Sequence, residues 1–261
     1  MNALVHRISD LGAAVRLFIT AMGRYARFLV ESLLSSAGLV LRPRLVVKQV
    51  HFIGNHSLII IAISGLFVGF VLALQLYNLL ARYGSAELAG LAVNLALVRE
   101  LAPVVTALLF AGRAGTSLTA EIGLMKSGEQ LTALDMMAVN PMARIVAPRF
   151  WGGLIAMPVL SVIFAMAGIL GAYLIVVVLV GIDAGAFWSQ MQSGVDWWDD
   201  IGQGVIKSVV FGLIVTSIAL FEGYEANPTP EGVAHATTRT VVASSLAVLG
   251  MDFILTAFMF A

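Results

Sequence analysis

Arg99 and Glu100 stand side by side within an otherwise uncharged apolar run from Leu88 to Ala111. Adjacent helical positions point about 100° apart, so the two side chains cannot neutralise each other along one face. Each therefore needs a cavity or a partner, because a charge at the centre of a membrane span costs about 2.5 to 3.5 kcal/mol on insertion scales. A guanidinium suits the phosphate of an amphiphile's headgroup, with Glu100 orienting it or gating the cavity. The other chemistry open to the pair is an interhelical ion pair that only fixes packing. Pro103 lacks the N–H that would reach the Arg99 carbonyl and so bends the helix beside these charges. Leu72, Leu76, Leu79 and Tyr83 share one helical face, which either lines an acyl-chain groove or simply faces lipid. Asp252 is expected to pair with a cation rather than reach outward.

Other chemistry is excluded by what the chain lacks. There is no Cys, and His6, His51, His56 and His235 form no ligand spacing, so a metal site is not expected. Neither H-E-x-x-H nor G-x-S-x-G occurs, and Gly250-Met251-Asp252 lacks the partner glycine of an intramembrane aspartyl protease. Without a G-x-x-x-x-G-K-[ST] loop the chain cannot cradle ATP phosphates, so any ATP-driven motor is another chain.

The elements that must hold these residues are membrane helices. Of 261 residues, 60% are hydrophobic and 11% charged, against about 25% charged in a soluble domain. With 15 basic and 15 acidic residues, no net charge would recruit nucleic acid. Spans of roughly 20 apolar residues are expected at Ser57 to Ala81, Leu88 to Ala111, Trp151 to Val180, about Val205 to Phe221, and Thr240 to Ala261. Lys207 is expected to snorkel to the interface. Gly65 and Gly69 form a G-x-x-x-G that permits close approach, within the chain or in a symmetric dimer. Arg7, Arg16, Arg24, Arg27, Arg42, Arg44 and Lys48 precede the first span, and Arg113, Lys126, Arg144 and Arg149 lie between the second and third. The other face receives Arg82 in one short loop, and the loop from Gly181 to Gly204 carries Asp183, Asp196, Asp199 and Asp200 with no base. Basic segments stay inside, so the N-terminus is expected in the cytoplasm and the C-terminus outside. Trp188, Trp197 and Trp198 suit either an aromatic belt or packing against a partner.

The expected class is an all-α membrane protein with two regions, 1–48 and 49–261. The first repeats Leu4, Ile8, Leu11, Val15, Phe18 and Met22 at helical spacing among basic residues, as in an amphipathic helix in the headgroup layer or one packed on its own protein. It has no signal-peptide pattern. Within the second region, Ser127-Gly128-Glu129-Gln130 matches a capping box, which predicts a cytoplasmic helix over about 127–140 with Leu131, Leu134, Met137 and Ala138 on one face and Asn140-Pro141 at its end. Glu129 and Asp135 fall away from that stripe. Such a helix can lie on the membrane, pack under the bundle, or insert into a partner.

Several ordered runs carry a resemblance to a known family. Leu97-Val98-Arg99-Glu100-Leu101-Ala102-Pro103-Val104-Val105, Leu109-Phe110-Ala111-Gly112-Arg113-Ala114-Gly115 and Thr119-Ala120-Glu121-Ile122-Gly123-Leu124-Met125 are followed by Met136-Met137-Ala138-Val139 and Pro148-Arg149-Phe150-Trp151. Lys207-Ser208-Val209-Val210-Phe211 and Ala236-Thr237-Thr238-Arg239-Thr240-Val241-Val242 complete the set. The chain after about residue 45 resembles the MlaE (YrbE-type) permeases, membrane subunits of the MCE-associated ABC phospholipid transporters that maintain outer-membrane lipid asymmetry. The resemblance implies an inner-membrane homodimer with five spans per subunit and an interfacial N-terminal helix. It implies a coupling helix, matched by Glu129, Gln130, Leu131, Leu134, Asp135 and Met137, that docks on a separate ATPase subunit binding ATP and Mg. A STAS-domain protein and a periplasmic MCE hexamer are the other implied partners, and the chain itself needs no cofactor. The family's lipid cavity at the dimer interface places Arg99, Glu100 and Tyr83 near phospholipid, with Leu72, Leu76 and Leu79 beside them. The competing class is an ion-coupled secondary carrier of lipids or drugs, against which stand an odd number of spans and no internal duplication.

Overall fold

The computed structural model describes residues 2–36 and 43–259. Helix α1 (Asn2–Leu34) precedes the first long helix α2 (Pro43–Arg82). Four further spans follow: α3 (Ala86–Ser127), α5 (Met142–Leu179), α7 (Trp197–Glu225) and α8 (Pro230–Met259). The short helices α4 (Gln130–Met136) and α6 (Ala184–Gly194) sit between α3 and α5 and between α5 and α7. There is no strand among the described residues. The five long helices match the expected spans in number and order, but each outruns its apolar run. At about 1.5 Å per residue, the 42 residues of α3 reach about 60 Å, twice the hydrocarbon thickness, so α3 projects beyond the membrane at one end.

The buried residues of α2 recur every fourth position: Ile53, Ser57, Ile61, Gly65, Gly69 and Ala73. Most are small, and they press α2 onto α5. A Cβ added at Gly65 would lie 2.5 Å from the Phe164 carbonyl oxygen, and one at Gly171 would lie 2.5 Å from that of Leu66. Gly69 meets the backbone of Gly168 more closely still. The G-x-x-x-G pair thus serves a contact within the chain, where the two backbones approach without side chains between them. Large residues turn outward instead: Ile59, Phe67 and Val71 on α2, and Leu246, Phe253 and Phe258 on α8, are more than half exposed in the isolated chain.

Proline shapes α3 and α5 in the same way. Ahead of Pro103 the helix widens to a π turn over Leu97–Leu101, and the Ala102 N–H reaches back five residues to the Leu97 carbonyl. Ahead of Pro148 the same turn occupies Met142–Val146, with Ala147 bonded to Met142. The wider turn makes room for the proline ring and absorbs the missing hydrogen bond without breaking the helix.

The early apolar series of α1, Leu4 to Phe18, lies outside the described side chains. Its second half packs on α7: Phe28 is buried, with its ring 5.7 Å from that of Phe221, and the Tyr25 hydroxyl lies 2.5 Å from that of Ser217. Burial pushes the Tyr25 phenol above its ordinary range, and the Ser217 bond works against that rise. Replacing Gly69 by Leu should wedge α2 from α5 and lower the thermal stability of the purified protein by at least the roughly 1 to 3 kcal/mol typical of overpacking. Gly54→Leu, with nothing within 4 Å of its Cβ position, should leave the melting temperature unchanged in the same assay.

Candidate functional site

Gly204 on α7 lies directly against the Val98 carbonyl of α3, closer than a side chain would permit. This approach, at the π turn, brings one turn of α7 on either side of Gly204 within reach of the charged pair. On one side Arg99 donates from its guanidinium to the Asp200 carboxylate, whose own side chain is 1% exposed. The second Asp200 oxygen accepts the Asp196 N–H at 2.7 Å. On the other side Lys207 Nζ lies 2.6 Å from Glu100 Oε2, 2.8 Å from Thr256 Oγ1 and 3.5 Å from Asp252 Oδ1. Asp200 and Lys207 are seven residues apart, two turns on one face, and Asp252 and Thr256 share a face of α8 one turn apart. The expectation that Lys207 reaches the interface is therefore corrected. Its side chain is 1% exposed, because three acceptors inside the bundle offer more than a distant headgroup layer. Asp252 pairs with a cation, as its sequence position suggests.

The network joins two cations to three carboxylates, leaving one excess negative charge. Glu100 Oε1 is buried and accepts no hydrogen bond. Arg99 and Glu100 remain about one third exposed, so this side of the network opens out of the chain. The residues thus pair across helices, as one of the two sequence readings expects, and they still present polar surface. Of the other residues expected at a lipid site, Leu72 and Leu76 are half-buried against the chain's own core, whereas Leu79 and Tyr83 are exposed. Sequence reading missed Asp200, which sits in what looked like an acidic outer loop, and Thr256. The seven-residue spacing of Asp200 and Lys207 was the available signal.

A second polar layer lies at the other end of the spans, where α3 leaves the membrane. Arg149 holds Glu121 at 2.5 Å and the Ile145 carbonyl at 3.0 Å, tying α5 to α3. Lys126 donates to the Tyr224 carbonyl at 2.7 Å, and the Thr119 hydroxyl sits 2.9 Å from the Ala219 carbonyl and 2.8 Å from the Thr240 hydroxyl. The short helix after α3 hangs from this layer, but it starts and ends differently from the capping-box expectation. Ser127 closes α3, its hydroxyl bonded to the Leu124 carbonyl at 3.1 Å, and Glu129 takes a left-handed conformation with φ 57°. Helix α4 then runs only from Gln130 to Met136, without a side-chain cap. Ala138, also left-handed at φ 57°, ends the segment before Asn140, whose side chain accepts the Met142 N–H at 2.8 Å. Leu131 is buried and Leu134 half-buried against the chain, so the face offered outward is Met136 and Met137, 85% and 64% exposed, with Glu129, Gln130 and Asp135 around them.

Among the described residues no group of His, Cys, Asp or Glu is arranged to hold a metal ion. Residues 46–258 match the family model described as Permease MlaE. The chain belongs to the MlaE permease family. It is 54% identical, over 98% of each chain, to the intermembrane phospholipid transport system permease protein MlaE of Haemophilus influenzae. It is 35% identical to a probable ABC transporter permease protein of Rickettsia typhi over 93% of each chain. A probable ABC transporter permease protein of Synechocystis is also 35% identical, over 82% of this chain and 81% of its own. The family members are transporter permease subunits and not enzymes, in line with the absence of catalytic motifs.

The charge count makes a prediction that an ordinary packing site would not. Asp252→Asn removes the excess negative charge and should leave thermal stability equal or higher. Lys207→Met strands two carboxylates in the bundle and should cost about 3 to 5 kcal/mol, as when one partner of a buried pair is removed. Melting curves of both variants in one detergent check the opposite signs.

Proposed function

We propose that this permease moves phospholipid through a site centred on Arg99 and Glu100, as the membrane subunit of an ABC transporter in a bacterial inner membrane. The partly exposed, charge-bearing face of the network supports this reading: it offers a guanidinium to a phosphate among spanning helices whose other outward faces are apolar. The Haemophilus relative's name, an intermembrane phospholipid transport permease, supports the same substrate. Tyr83 and Leu79, exposed near one end of α2, belong to the same lipid path, with Leu72 and Leu76 forming its wall from behind. Two copies of the chain enclose the path. The outward face of α8, with Leu246, Leu249 and Phe253 exposed, supplies an apolar surface for that pairing.

Energy comes from a separate ATPase subunit that binds ATP and Mg and docks on α4. Exposed methionines ringed by Glu129, Gln130 and Asp135 form an adaptable apolar knob with a polar rim, the chemistry of a partner socket. A STAS-domain protein accompanies the ATPase, and a periplasmic MCE hexamer receives or delivers lipid and maintains outer-membrane asymmetry. The distribution of basic residues puts the N-terminus and α4 in the cytoplasm and the C-terminus in the periplasm, with α1 in the cytoplasmic headgroup layer.

Arg99→Ala should lower the phospholipid retained by the purified complex by about tenfold, the decrease expected for one charge-assisted hydrogen bond. Wild-type lipid occupancy in that variant, read by mass spectrometry, would reduce Arg99 to a packing role. Met136→Asp with Met137→Asp should detach the ATPase or abolish lipid-stimulated ATP hydrolysis while the melting temperature holds, since neither side chain is buried. Transport by this chain alone in a proton gradient would instead favour the ion-coupled carrier.

A further inference from the structure

A cavity of about 500 Å³ lies where α1 crosses the end of α7 and the start of α8, at the opposite end of the bundle from Tyr83. Its polar lining is Arg24, Glu222, Glu225, Asn227, His235 and Arg239. The charges form two crossed pairs from different elements: Arg24 of α1 to Glu225 of α7 at 2.7 Å, and Arg239 of α8 to Glu222 of α7 at 2.9 Å. Both guanidiniums are 62% exposed, so each keeps N–H donors free of its carboxylate. Phe221 supplies an apolar wall, and α1 is held over it by the contacts of Tyr25 and Phe28 with the Phe221 ring. His235 faces Glu231 at 3.8 Å on the rim, on the solvent side of α8.

Ligand chemistry follows from charge and depth. Two arginines against two glutamates make the lining neutral, so it offers no net attraction to a purely anionic or purely cationic molecule. It does offer both signs within one small space. A molecule carrying a phosphate and an ammonium a few ångström apart can exchange with the pairs one for one, phosphate onto the guanidiniums and ammonium onto the carboxylates. Every charge stays partnered throughout, which matters most for Glu222, the least exposed of the four. The cavity sits at the level where α7 ends and α8 begins, beside an amphipathic helix. That is the headgroup layer of the leaflet that α1 occupies, and there the available molecule of this kind is a zwitterionic phospholipid.

We propose that this cavity is a second headgroup site, which holds a zwitterionic phospholipid of the cytoplasmic leaflet between α1, α7 and α8, apart from the mid-membrane site at Arg99. The site gives the permease a lipid contact at each end of its path. It rests on the membrane orientation proposed for this permease but not on the role of Arg99.

The test is native mass spectrometry of the complete transporter released from nanodiscs of mixed phosphatidylethanolamine and phosphatidylglycerol. The wild type should retain ethanolamine lipid in excess of its share of the bilayer. Arg24→Gln with Arg239→Gln should lower that retention by about tenfold for each charge-assisted hydrogen bond removed. Arg27→Gln, which removes only the exposed pair of Arg27 with Glu31 on α1, should leave it unchanged. The lipid whose retention depends on Arg99 should persist in the double variant, which also shows that the variant is folded. Unchanged ethanolamine retention in the double variant overturns the proposal, as does a wild type that holds only the Arg99-dependent lipid; the permease reading survives both. Loss of the ATPase subunit from the double variant with lipid retention intact also overturns it, since the cavity would then be a protein contact. A delipidated complex that binds soluble glycerophosphoethanolamine but regains no lipid on reconstitution identifies a free phosphate ester as the ligand and overturns the lipid assignment.

Discussion

A charge in hydrocarbon must find its opposite within a few ångström, and the join of α3, α7 and α8 is arranged around that requirement. Each local device there contributes to one placement. The π turn just before Pro103 sets the azimuth of Arg99 and Glu100. Gly204 lets α7 press onto that turn, and the two-turn spacing of Asp200 and Lys207 then brackets it. The third carboxylate, Asp252, leaves the set with more negative charge than positive. A purely structural network would gain by being balanced, since an unmatched charge is the costly kind in a low dielectric. Arg99 and Glu100 keep about a third of their side-chain surface outside the bundle, so the unmatched carboxylate is not part of a fully sealed network.

Packing elsewhere follows the inverted preferences of side chains in a membrane. With lipid outside, large apolar residues lose little by facing outward, so α2 and α5 meet closely through Gly65, Gly69, Gly168 and Gly171 while Ile59, Phe67 and Val71 of α2 face out. The buried stripe of α8 obeys the same rule, with Ala236, Thr240 and Ser244 inward. Thr240 also reaches Thr119, so small residues here bring hydroxyls within bonding distance as well as backbones. The charged interhelical bonds fall in two layers: the network of Arg99, Asp200, Glu100 and Lys207, and the layer of Arg149, Lys126 and Arg239 toward the other end of the spans.

The spans were legible because length and apolarity are one-dimensional properties, and so was the need of Arg99, Glu100 and Asp252 for partners, because isolated charges in an apolar run are conspicuous. The choice of partner was not, since it depends on which helix stands opposite. Lys207 sits near the end of its apolar run and read as an interfacial residue; only the closeness of α7 to α3 makes it internal. The leucine stripe from Leu72 to Tyr83 was found by period, but period cannot separate a lipid-facing row from a packed one when both are apolar. The true seam ran through the small residues from Ser57 to Ala73. The capping box failed for a different reason. Gly128 and the left-handed Glu129 break the chain between Ser127 and Gln130, so Ser127 ends one helix and cannot cap the next. Four residues that satisfy a helix start in isolation are overridden here by the need to turn away from the end of α3.

That turn matters for how a push at α4 would travel. Helix α4 is joined to α3 through two residues, Gly128 and Glu129, and Leu131 and Leu134 seat it on the rest of the chain. From there α3 runs without interruption back to the Arg99–Glu100 turn, braced to α5 by Arg149 and to α7 by Lys126 and Thr119. Between α4 and that turn the helical pitch departs from α at Ala111–Gly115 and again at Leu97–Leu101, and there a rotation is least costly to accommodate. The second of these carries the charged network itself. A displacement passed along α3 from α4 would meet the π turn near Arg113 before the one that carries Arg99. Because Asp200 and Lys207 move with α7 and Arg99 and Glu100 with α3, any sliding between these helices alters both bonds together. The charge pairing between α3 and α7 is thereby tied to the relative position of the two helices.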